Sequence, residues 1–124
     1  MKKLVNDPRQ VVREMLEGLC DLHPGLALLA DEDVVVRAGL PPPAARPVAV
    51  LSGGGAGHEP AHAGYVGPGL LAGAIAGDVF TSPSADAVGR ASSTGHTVPR
   101  IGSIWSPMTA ADPYMYVFSS SMVA

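Results

Sequence analysis

Near the start of the chain, Val11, Val12, Met15, Leu16 and Leu19 recur on one helical stripe, while Arg9, Arg13, Glu14 and Glu17 lie mostly off it. The spacing predicts an amphipathic helix over residues 8–20. Asn6-Asp7-Pro8 reads as its start, with Asp7 as N-cap and Pro8 at the first helical position, which has no use for an N–H. His23-Pro24-Gly25 reads as its end, because the residue before a proline avoids helical geometry. Cys20 then falls among the small buried side chains. Asp33-Val34-Val35-Val36-Arg37 predicts a strand, and Pro41-Pro42-Pro43 a stiff extended connector. Val48-Ala49-Val50-Leu51, apolar without alternation, predicts a strand buried on both faces of a sheet with parallel pairing. That strand runs into Ser52-Gly53-Gly54-Gly55-Ala56-Gly57-His58-Glu59-Pro60, read as a glycine loop, with Pro60 opening a helix through Ala61-His62-Ala63. Ligands of open α/β sheets collect at such carboxyl strand ends. From about Val88 the pattern fades: residues 89–124 hold only Arg90, Arg100 and Asp112 as charges, with 101–105 and 114–118 as strand candidates.

The length of 124 residues suits one small domain and excludes a second full one. Eight Lys and Arg against eleven Asp and Glu give a net charge of −3 and no basic stripe, which argues against nucleic acid or a polybasic membrane contact. Residues 60–77 carry no Asp, Glu, Lys or Arg, yet Pro60, Pro68, His62 and five glycines spoil them as a membrane span. A lone Cys20 leaves no internal disulfide and no cysteine metal site, so a cytoplasmic setting is expected. Fifteen glycines and twelve prolines are an unusual share, and nine of the glycines fall between Gly53 and Gly77. The special backbone is expected there.

Glycines at 53, 54, 55 and 57 permit positive φ and close backbone approach, and their successive N–H groups are candidates for an anion or oxyanion nest. His58 stands at the lip, where a neutral imidazole is suited to take a proton from a bound hydroxyl. The alternative is a glycine turn with a histidine that only bonds a carbonyl. A dinucleotide fingerprint fails, because the required third small residue falls on His58 or Pro60; a phosphate loop fails for want of Lys-Ser or Lys-Thr. His58-Glu59-Pro60-Ala61-His62 matches the zinc-hydrolase pattern H-E-x-x-H in letters, but Pro60 and the preceding glycines oppose the continuous helix that pattern needs. His62 is expected to be structural, close to the loop and holding it. His23 and His96 read as turn or loop residues, and Trp105, Met108, Met115 and Met122 as packing or filler.

The segments Met1 to Asp7, Glu17-Gly18-Leu19 through His23-Pro24, Leu51 through Gly67, and Gly77-Asp78-Val79-Phe80-Thr81-Ser82-Pro83 together resemble the start of the dihydroxyacetone (glycerone) kinase family's substrate-binding, DhaK-type subunit. The resemblance covers about residues 1–86. It implies an α/β fold with a partial mixed or parallel sheet and flanking helices, incomplete relative to the family domain. It implies contact of Gly55, Ala56, Gly57 and His58 with dihydroxyacetone, with His58 as the catalytic proton acceptor. Ala56 departs from the serine many relatives carry, which removes a hydroxyl and leaves the main chain. A downstream histidine that bonds the ketone covalently, and a Lys and an Asp that complete the family site, have no counterpart here, the last lysine being Lys3.

These implications divide the chain into 1–88, the N-terminal part of the substrate-binding domain, and 89–124, a divergent tail of a truncated or frame-shifted relative. Kinase activity by the chain alone is then expected to be very low, since substrate would lack its anchor. No cofactor or metal is expected on the chain itself; ATP with Mg²⁺ or a phosphorylated carrier would sit on a separate DhaL-type domain or subunit. The expected partners are dihydroxyacetone, that donor subunit, and a second copy in a homodimer. Two alternatives are a non-catalytic fragment that works only by associating with a full-length partner, and, remotely, a zinc hydrolase through His58-Glu59-x-x-His62, with the histidines on metal and Glu59 activating water.

Overall fold

The computed structural model describes residues 3–39, 49–93 and 115–119. The helical stripe folds as expected into α1 (Val11–Leu22), which buries Val12 and Leu16 and rests Val11, Met15, Leu19 and Cys20 beside them. Its start differs from expectation. Asp7 closes a separate turn, accepting from the Gln10 N–H on its carbonyl (2.9 Å) and from the Arg9 N–H on its carboxylate (2.9 Å). The N-cap of α1 is Gln10, whose side chain makes no capping bond. At the other end α1 runs to Leu22 before His23 turns extended, as the following Pro24 requires.

The strands are β1 (Leu26–Leu28), β2 (Val34–Arg37), β3 (Ala49–Ala56), β4 (Gly73–Val79) and β5 (Met115–Ser119), and α2 (Ala85–Ser93) follows β4 in the chain. They form one mixed sheet in the order β1-β2-β4-β3-β5. β1, β2 and β4 pair antiparallel, whereas β3 is parallel to both β4 and β5. The apolar run around Leu51 is therefore a strand flanked on both sides, as its lack of alternation implied. One expected strand, 114–118, falls on β5; the connector at 41–43, the candidate at 101–105, His96, Trp105, Met108 and Met122 lie outside the described residues.

Two layers of side chains cover the sheet. On one face, Val12 and Leu16 of α1 pack with Val35, Ala56, Ala63, Val66 and Ala74. On the other, Ala87 and Ala91 of α2 pack with Val34, Val36, Ala49, Leu51 and Ile75. Ser84 starts α2 by accepting the Ala87 N–H on its hydroxyl at 3.1 Å. Arg13 fastens α1 to the β1–β2 connection: its guanidinium donates to the Leu29 and Glu32 carbonyls (2.8 and 3.0 Å) and pairs with Glu17 and Asp33. No helix among the described residues is long and apolar enough to cross a membrane.

Candidate functional site

The glycine segment is not the open loop that its composition suggests. Gly53, Gly54 and Gly55 are ladder residues of β3, opposite Ile75, Ala76 and Gly77 of β4. An extended backbone sends successive N–H groups to alternate sides, so these amides do not converge on a point as a nest requires. The glycines serve close approach by the chain itself. A Cβ on Gly55 would stand 2.7 Å from the Thr81 nitrogen, and one on Gly77 would overlap the Thr81 carbonyl oxygen. The segment after β4 thus crosses directly over the paired glycines. On the opposite face, the space beside Gly54 is filled by the His62 imidazole.

The ladder shifts register between Gly55 and Ala56, and the chain leaves the sheet at Gly57, whose φ of 109° is the left-handed region that favours glycine. The Gly57 N–H points at the Glu59 carboxylate, with oxygens at 2.9 and 3.1 Å. His58 is exposed at the carboxyl ends of the parallel pair β3 and β4. Its ring meets that of Phe80 edge to face, with centroids 5.2 Å apart and planes at 71°. Of the sequence-predicted residues, Gly57 and His58 come together at this surface and Gly55 lies half-buried beneath Thr81; the Ala56 side chain is buried among α1-facing residues.

His62 holds the turn, as expected. Its Nδ1 lies 2.9 Å from the Ser52 hydroxyl on β3, and its own φ is 57°. Pro60, after a cis peptide bond, lies in a turn, and the helical stretch is the 3-10 turn Ala63–Tyr65 rather than a helix opened by Pro60. His58 and His62 therefore share no helix, the geometry a zinc hydrolase needs. Among the described residues no group of three His, Cys, Asp or Glu side chains is placed to hold a metal ion. Beneath the turn, a cavity of about 10 Å³ lined by Met15, Gly54, Ala56, His62 and Ala74 is about the room one water needs. A larger open cleft of about 460 Å³ runs between α1 and the turn, lined by Met15, Leu19, Leu22, Glu59, Pro60 and Gly64.

Sequence reasoning passed over Phe80 as a site residue and considered Glu59 only within the zinc-hydrolase pattern. Phe80 sits in a turn closed by the Thr81 N–H on the Asp78 carbonyl (2.9 Å), and its own N–H donates to the Ala56 carbonyl (2.8 Å). Nothing in local composition announces that a residue so far along the chain returns to the glycines. Asp78, in the same turn, is exposed and lies near enough to Asp33 to help hold that carboxyl above the ordinary range, behind the larger effect of burial.

The Dak1 domain family matches residues 17–98, which hold the whole of this arrangement. Over 88 residues the chain is 52% identical to the dihydroxyacetone-binding subunit DhaK of the PEP-dependent dihydroxyacetone kinase of Escherichia coli, covering 71% of this chain and 24% of that subunit. The human triokinase/FMN cyclase is 49% identical over 87 residues, covering 70% of this chain and 15% of that protein. The crystal structure of the C. freundii dihydroxyacetone kinase in complex with AMP-PNP and Mg²⁺ superimposes with a TM-score of 0.68 at 40% identity, over 78% of this chain and 18% of that one. The chain spans about a quarter or less of the length of these relatives. With the strand-to-turn run from Leu51 to His62 and the returning turn at Phe80 both inside the matched region, the chain belongs to the Dak1 domain family.

Proposed function

We propose that the chain supplies the dihydroxyacetone-binding portion of a dihydroxyacetone kinase, with the main chain of Gly55, Ala56 and Gly57 touching substrate and His58 acting as general base. The observation that carries this reading is the exposed His58 imidazole at the carboxyl ends of two parallel strands. In the reaction a primary hydroxyl oxygen of dihydroxyacetone bonds to the donor phosphorus, its proton passes to an imidazole nitrogen of His58, and the donor P–O bond breaks. A substrate oxygen that uses the Gly57 N–H takes the place now held by the Glu59 carboxylate.

The described residues do not fit an ATP·Mg²⁺ site. The amides of residues 53–55 alternate along a ladder, and no group of three acidic, histidine or cysteine side chains converges. We therefore assign the phosphoryl donor, whether ATP with Mg²⁺ as the ligands of the C. freundii relative suggest or a phosphorylated carrier, to a DhaL-type domain or subunit. Pairing with that subunit, homodimerisation and a cytoplasmic setting belong to the same reading.

The test is a titration of the full chain with dihydroxyacetone, followed by amide NMR, beside His58→Ala. Shifts centred on residues 55–58 and affinity weakened about 3- to 10-fold by the substitution, the range set by one lost hydrogen bond, are expected. Equal affinity in both proteins removes His58 from the site.

A further inference from the structure

We propose that Phe80 is a positioning residue: its ring fixes the orientation of the His58 imidazole, an inference that rests on His58 being the base. Phe80 breaks two local rules at once. It is a large apolar side chain left 70% exposed, so no core accounts for it. It also occupies the third position of the Asp78–Thr81 turn with φ of 56°, where glycine is the favoured residue and a bulky side chain is strained. Strain of this kind persists only where surrounding contacts hold it, and it concentrates at functional sites.

Three contacts hold Phe80. Its N–H donates to the Ala56 carbonyl, which ties the turn to the end of β3. Its ring lies over Gly57, so close that a Cβ there would stand 3.1 Å from Cε1 and Cζ. Its ring also meets His58 edge to face, an arrangement that restricts both rings. His58 has few other restraints: it is exposed, and its backbone carbonyl receives the Ala61 N–H. The aromatic ring is therefore the side-chain contact that defines where the imidazole points among the described residues, and the strained φ is what places that ring above the glycine.

The experiment compares wild type, Phe80→Tyr, Phe80→Leu and Phe80→Gly in the full chain. Wild type and Phe80→Tyr should show nuclear Overhauser contacts between residue 80 ring protons and the His58 imidazole, with matching His58 ring-proton shifts. In Phe80→Leu and Phe80→Gly those shifts should move toward the values of free histidine, while amides of β2 stay in place. Phe80→Gly, which removes the strained φ, should unfold no earlier than wild type, and yet bind dihydroxyacetone about 2- to 10-fold more weakly, with Phe80→Tyr restoring affinity. Unchanged His58 ring signals in Phe80→Gly overturn the proposal, as does wild-type affinity in Phe80→Gly where His58→Ala has lost it. If His58→Ala binds as wild type does, the base assignment fails, and the His58 ring signals alone decide whether Phe80 orients the ring.

Discussion

Replacing Gly77 by alanine tests the close crossing over β4. The new Cβ overlaps the Thr81 carbonyl oxygen and stands 2.7 and 2.8 Å from the Pro83 nitrogen and the Ser82 carbonyl carbon. All three are main-chain atoms, so no flexible side chain can swing away. Residues 81–83 must lift from the sheet, at an overpacking cost of about 1–3 kcal/mol. Lifting also weakens the Thr81 N–H to Asp78 carbonyl bond, worth about 1 kcal/mol net. Alanine recovers roughly 0.4–1 kcal/mol by restricting the unfolded chain. The balance is a loss of about 1–3.5 kcal/mol. Gly18→Ala is the paired control, because Gly18 is exposed within α1 and a Cβ there meets nothing within 4 Å. It should stabilise by about 0.5–1 kcal/mol through helix propensity. Urea unfolding followed by circular dichroism reads both, and at roughly 5 °C per kcal/mol thermal midpoints should separate clearly. Two substitutions that shift the midpoint in the same direction, or by similar amounts, refute the close crossing at Gly77.

Burial, opposed by Arg13 and reinforced by Asp78, holds the Asp33 carboxyl above its ordinary value. The folded state thus binds more protons than the unfolded one just above the usual carboxylate range, so this contribution to stability falls as pH rises through that window. Asp33→Asn should remove that downward component from urea midpoints measured between pH 3 and 7, values chosen to bracket carboxylate titration; an unaltered slope contradicts the assignment. Burial first, and then the charge of Asp21, push the Cys20 thiol up. Iodoacetamide should therefore alkylate Cys20 more slowly in the native chain than in urea, with the pH dependence of the native rate displaced upward. Equal rates in both states would place the thiol in open solvent.

The stripe at Val12 and Leu16, the valines of β2 and the buried run at Leu51 were legible because each carries its burial in its own side chains. β4 was not. Gly73–Val79 is mostly glycine and alanine, and it becomes a strand because β2 and β3 pair with it on either side. The glycines at 53–55 misled for the same reason: their composition suits a turn, whereas sheet partners extend them, His62 fills the space beside Gly54, and the 80–83 segment crosses close over Gly53 and Gly55.

His58 could be picked out in the sequence, since few residue types exchange a proton near neutral pH and it follows a glycine run at a strand end. Its neighbours could not. Phe80 reaches it only through the parallel pairing that brings the ends of β3 and β4 together, and Glu59 reaches the Gly57 amide only once the chain has turned at positive φ. The sequence by itself determined which segments must be buried and singled out His58 as the side chain proposed to move a proton. Tertiary structure decided which atoms surround that side chain, because contacts between distant residues are set by strand order and register, and no local pattern encodes either.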